Sequence, residues 1–67
     1  MDHTSGDREV LFEFHRVGAY VKVSAVDAKT GVEVSIVGAA GAGEAMLKRT
    51  ALSKLIYVLR KHGQLSA

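Results

Sequence analysis

Two hydrophobic periods divide this chain, and the switch between them near Glu44 limits the folds open to it. Up to Ile36, apolar residues recur at every second position; beyond Glu44 they recur every three or four. Period two marks a half-buried strand, and a period near 3.6 marks an amphipathic helix. "EVLFEFHR" sends Val10, Phe12 and Phe14 to one side and Leu11, Glu13 and His15 to the other. "YVKVSAVD" repeats the pattern with Val21, Val23 and Ala25, and "VEVSIV" with Val32, Val34 and Ile36. Gly18-Ala19 suits a two-residue hairpin with glycine leading. "DAKTG" suits a longer turn in which Asp27 bonds nearby backbone amides.

Two hairpins in succession give an antiparallel meander whose register can be tested by parity. Pairing around Gly18-Ala19 sets Phe14 beside Val23 and Phe12 beside Ala25. A four-residue loop at the second turn is expected to set Val23 beside Val34 and Val21 beside Ile36. All apolar sets then share one face, which a slip of one residue would destroy. From Glu44 to about His62, Leu47, Ala51, Leu52, Leu55, Ile56, Val58 and Leu59 fill one half of a helix about 28 Å long. The predicted fold is α+β: a three-stranded antiparallel β-meander followed by one C-terminal amphipathic α-helix packed on one face of the sheet. It forms one domain over residues 9–62, with a flexible arm at 1–8 and a frayed C-terminus at 63–67. Phe12, Phe14, Val23, Val34, Leu55 and Leu59 are its expected deep core.

With 67 residues, a chain buries only about 60% of the surface that its unfolded form exposes. Small domains of this kind lean on disulfides, a metal or self-association. The absence of cysteine removes disulfides and thiolate metal sites together. No apolar run approaches the roughly 20 residues of a membrane span, and the polar "MDHTSGDRE" lacks the pattern of a signal peptide. A soluble, cytoplasmic protein without membrane contact is expected. The net charge of +2 is unevenly spread: residues 1–43 carry four basic residues against six acids, and residues 44–67 five against Glu44 alone.

"EVLFEFHRVGAYVKVSAVDAKTGVEVSIVG", followed by a basic, leucine-rich helix ending "KLIYVLRKHG", resembles a family of short uncharacterised alphaproteobacterial proteins. The shared pattern is E-V-x-F-E-F, V-K-V-[ST]-A-V-D and T-G-x-E-V-S-I-V-G, then a closing helix. It covers about residues 9–62 and has proline where this chain has Ala39. The resemblance implies the β-β-β-α architecture and no particular activity.

The stretch "GAAGAGEAMLKR" invites a nucleotide reading, since Gly38 and Gly43 have the spacing of a phosphate-binding loop. Lys and Ser/Thr should follow, because an ammonium and a metal-binding hydroxyl meet the phosphates there. Glu44 and Ala45 follow instead, and a carboxylate at a helix start repels phosphate. Met46 likewise breaks the dinucleotide fingerprint. A strand-to-helix connector is the expected reading, with no cofactor. His3, His15 and His62 share no ligand spacing, so no metal site is expected. Glu13, Ser24 and Glu33 are expected in one cross-strand row, and His15, Lys22 and Ser35 in the next. An open sheet excludes no water and offers no oxyanion donors, so no catalytic residue, enzyme activity or small-molecule substrate follows.

What remains is surface in search of a partner. Leu52 and Ile56 on the margin of the helix, and Leu11 and Val26 on the sheet's outer face, are the expected self-association residues. A non-enzymatic, homo-oligomeric interaction protein with a protein partner is the leading reading. The alternative is a nucleic-acid-binding module that contacts phosphates through Arg49, Lys54, Tyr57, Arg60 and Lys61 on the basic side of the helix.

Overall fold

The computed structural model describes residues 3–5 and 8–63. Strands β1 (His3–Ser5), β2 (Arg8–Val17), β3 (Tyr20–Asp27) and β4 (Glu33–Ala39) form one antiparallel sheet in that spatial order. A 3-10 turn at Ala40–Ala42 leads into helix α1 (Glu44–Lys61), which packs on the sheet. This is the expected α+β meander and C-terminal helix, with one addition. His3–Ser5, expected in the arm, pairs with Arg8–Val10 as a short edge strand. "HTS" has no apolar alternation to announce it, because this pairing runs through backbone groups. The arm and fraying expected of residues 1, 2, 6, 7 and 64–67 lie outside the described residues.

The first hairpin matches its expected register: Gly18 leads the turn at φ +60°, and Phe14 pairs with Val23 and Phe12 with Ala25. Glycine adopts that positive φ without the steric penalty that a Cβ brings. The second hairpin differs by two residues. Val23 pairs with Ile36, Ala25 with Val34 and Val21 with Gly38, in place of the expected Val23–Val34 and Val21–Ile36. The cause is the Asp27 carboxylate, whose Oδ2 accepts the Thr30 amide at 3.1 Å and the Thr30 hydroxyl at 2.7 Å. Gly31 N donates to Asp27 O at 2.7 Å, and Asp27 N to Val32 O at 2.9 Å. All of Ala28 to Gly31 therefore stands outside the ladder. A shift of two keeps every side chain on its face, so parity alone could not detect it.

The helix lies over β3 and β4. Val23, Ala25, Ala51 and Leu55 are fully buried there, with Leu59, Leu47 and Val34 nearly so. Phe12 and Phe14, expected in the deep core, are only half-buried. They stand on β2, beside the helix rather than beneath it. A helix about 10 Å across covers about two strands spaced at 4.8 Å, and here those two are β3 and β4.

Candidate interaction surfaces

Gly38 sits inside β4 opposite Val21. A Cβ there would run into the side chain of Leu47, so its smallness lets the first turns of α1 close on the sheet. Gly43 precedes the helix at φ +91°, and Glu44 is the first helical residue. Among the described residues, no group of three or more His, Cys, Asp or Glu gathers as a metal site would require.

The sheet face opposite the helix is uncovered by any described element. The register corrects its cross-strand rows to Leu11–Val26–Glu33, Glu13–Ser24–Ser35 and His15–Lys22–Val37, with Val17 opposite Tyr20 at the hairpin end. Glu33 thus leaves the row of Ser24, and Ser35 leaves that of Lys22. Ser24 is buried at 6% exposure despite facing outward, with its Oγ 3.3 Å from Ser35 Oγ. These two small side chains make the middle of the face low. A shallow hollow of about 260 Å³ opens there, with Glu13, His15, Lys22 and Ser24 in its lining. Apolar side chains rise at both ends: Leu11 at 42% exposure, Val17 and Tyr20 at 61% and Val37 at 67%.

The two expected self-association pairs lie on different surfaces. Leu11 and Val26 are direct cross-strand neighbours on the uncovered face. Leu52 and Ile56 are half-buried on α1, and Leu52 packs against the core. The expected basic face is divided as well. Lys54 Nζ donates to Ser35 O at 2.9 Å along the outer edge of β4, whereas Arg49, Tyr57, Arg60 and Lys61 are exposed.

Two contacts fix which flank of the helix faces which strand. Lys54 marks the β4 side. Lys48 Nζ stands 4.9 Å from the centre of the Phe12 ring and marks the β2 side. At about 100° per residue, Leu52, Ile56 and Arg49 lie on the Lys48 side, and Tyr57 and Lys61 on the Lys54 side. Both contacts escape sequence reasoning, because periodicity gives the phase of a helix but not its lateral position on a sheet.

Among the described residues, no helix is long and apolar enough to cross a membrane. No curated protein and no solved structure matches the chain. A family model does, over residues 7–62, a span that takes in β2, β3, β4 and α1 whole. The chain belongs to the family described as a domain of unknown function, DUF6898.

Proposed function

We propose that this domain is a non-enzymatic protein-interaction module that self-associates through its uncovered sheet face. The observation that carries this reading is the placement of Leu11, Val17, Tyr20 and Val37: four large exposed apolar side chains on one face. Removing such surface from water drives association at roughly 25 cal/mol per Å². The charges between them suit a two-fold partner. Glu13 and Lys22 occupy adjacent rows, so a symmetry-related copy can set each against its opposite in an isologous contact. The apolar area is modest against the entropy lost on association, so the equilibrium should depend on protein concentration.

Light scattering across a concentration series tests this reading, with Val37→Lys as the variant. Val37 is exposed on the outer strand, so the charge should leave the fold intact and shift the population towards monomer. A wild-type chain that stays monomeric at high concentration, or a variant that keeps the wild-type mass, would sink the reading.

The exposed Arg49, Tyr57, Arg60 and Lys61 sustain a second reading, phosphate contact through the helix. Lys54 weakens it, being engaged with the sheet. If this surface binds nucleic acid, affinity for a short DNA duplex should fall steeply between low and moderate salt, by a slope of about 0.9 per phosphate neutralised. Arg60→Ala should then flatten the slope by about one contact. Fluorescence anisotropy of a labelled duplex at several salt concentrations reads both, and no binding at low salt would dismiss this alternative.

A further inference from the structure

The hydrogen-bond phase of the ladders decides which backbone groups the sheet leaves over. Opposed residues in an antiparallel pair alternate between those that exchange bonds and those that do not. Glu9 O accepts the Ala28 amide at 3.0 Å, so Leu11, Glu13, His15 and Val17 turn their amides and carbonyls towards β3. Val10, Phe12, Phe14 and Arg16 turn theirs to the other edge of β2. β1 pairs with that edge only as far as Val10, and no described element pairs with it beyond. Across the sheet, Asp27 N donates to Val32 O, which by the same alternation turns Glu33, Ser35 and Val37 outward from β4. That edge is guarded. Lys54 Nζ sits on Ser35 O at 2.9 Å, and lysine on an edge strand is a recurrent block to pairing. The helix that carries this guard lies over β3 and β4, with β2 beside it.

We infer that the open edge of β2 takes the same edge of a second copy, antiparallel and two-fold about Phe14. The register selects this occupant. With Phe14 opposite the partner's Phe14, Phe12 and Arg16 exchange backbone bonds with the partner's Arg16 and the partner's Phe12. On the outer face Glu13 then stands opposite the partner's His15, and Leu11 opposite the partner's Val17. Symmetry repeats both pairs. An imidazole donates to a carboxylate, and opposed apolar residues pack across strands. The rows within each copy run on across the seam. Val26 and Leu11 continue into the partner's Val17 and the partner's Tyr20, and Ser24 and Glu13 into the partner's His15 and the partner's Lys22. Neighbouring registers lose this match. An axis at Glu13 or His15 sets each of these against its own kind, an axis at Arg16 sets cation against cation, and an axis at Phe12 needs the side of Val10 that His3 already holds. One continuous sheet through both copies results. This contact goes beyond the face contact proposed above and does not rest on it, since edge and face are different surfaces.

The test follows amide hydrogen exchange by NMR on the full chain at low and high protein concentration, in the Val37→Lys background that disrupts the face contact. Pairing should slow the Phe12, Phe14 and Arg16 amides at least about tenfold as concentration rises. The Glu33 and Ser35 amides, on the guarded edge, should exchange equally fast at both concentrations. Adding Arg16→Pro removes an outward amide and leaves the β2–β3 ladder whole, so that chain should be monomeric by light scattering. Glu13→Lys should weaken the dimer about three- to tenfold, and His15→Glu added to it should restore the dimer, because opposite charges again face each other. The face contact predicts no such rescue, since there Glu13 meets Lys22. Should Arg16→Pro unfold the chain, exchange and the charge swap decide. The inference is overturned if Val37→Lys alone is monomeric at millimolar concentration, or if concentration protects Glu33 and Ser35 in place of Phe12, Phe14 and Arg16. A charge swap that leaves the dimer as weak as Glu13→Lys does would also overturn it.

Discussion

Leu55→Ala should remove about half of the domain's stability. Leu55 is fully buried in the centre of α1, in one cluster with Val23, Ala25 and Val34. Truncating a buried leucine removes its transfer free energy and leaves a cavity, together about 2–5 kcal/mol. A domain of this size has about 3–10 kcal/mol in total. Phe14→Ala removes a larger side chain yet should cost less, because Phe14 is half-buried beside the helix and part of its ring already meets water. Roughly half of the ~3–5 kcal/mol expected for a fully buried phenylalanine is a fair figure. Urea denaturation followed by circular dichroism measures both. If Phe14→Ala proves the more damaging, the helix sits over β2 rather than over β3 and β4.

That contrast also marks how far the sequence could be read. The strands β2 to β4, their shared apolar face, the first hairpin and the phase of α1 are all consequences of local chemistry: alternation, a leading glycine at Gly18 and a 3.6-residue period. They were legible for that reason. The register of the second hairpin was not, because Thr30 and Asp27 compete with the ladder through side-chain hydrogen bonds that extend the loop at no cost to parity. Nor was the half-burial of Phe12 and Phe14, since a helix has freedom to slide across a sheet wider than itself. What locates α1 is a set of long-range contacts: Lys54 on the Ser35 carbonyl, Lys48 over Phe12, and Leu47 against Gly38. Of the candidate surfaces, the Leu11/Val26 pair was visible from strand parity. The division of the basic helix face was not, because Lys54 reaches the Ser35 carbonyl only once the lateral position of the helix is known.

Gly38 offers the sharpest test of that position, because the sign of the effect depends on it. Glycine within a strand weakens it, so Gly38→Ala at an open site should stabilise the fold by about 0.5–1 kcal/mol. Here the added methyl would enter the volume filled by the Leu47 side chain. Leu47 is buried at 6% exposure, and swinging its Cδ2 aside into the cavity that it lines gives up its packing on the sheet, so a cost of about 1–3 kcal/mol should win. Gly38→Ala should therefore lower the melting temperature, and Gly38→Val should lower it further. Leu47→Ala alone should destabilise through its cavity. In that background, however, Gly38→Ala should become neutral or stabilising, since the new methyl occupies space that the leucine has vacated. The two substitutions should thus couple by about 1–3 kcal/mol, as contacting residues do. Strict additivity in the double-mutant cycle would mean that Leu47 does not rest on Gly38, and the docking of the first turns of α1 would have to be redrawn.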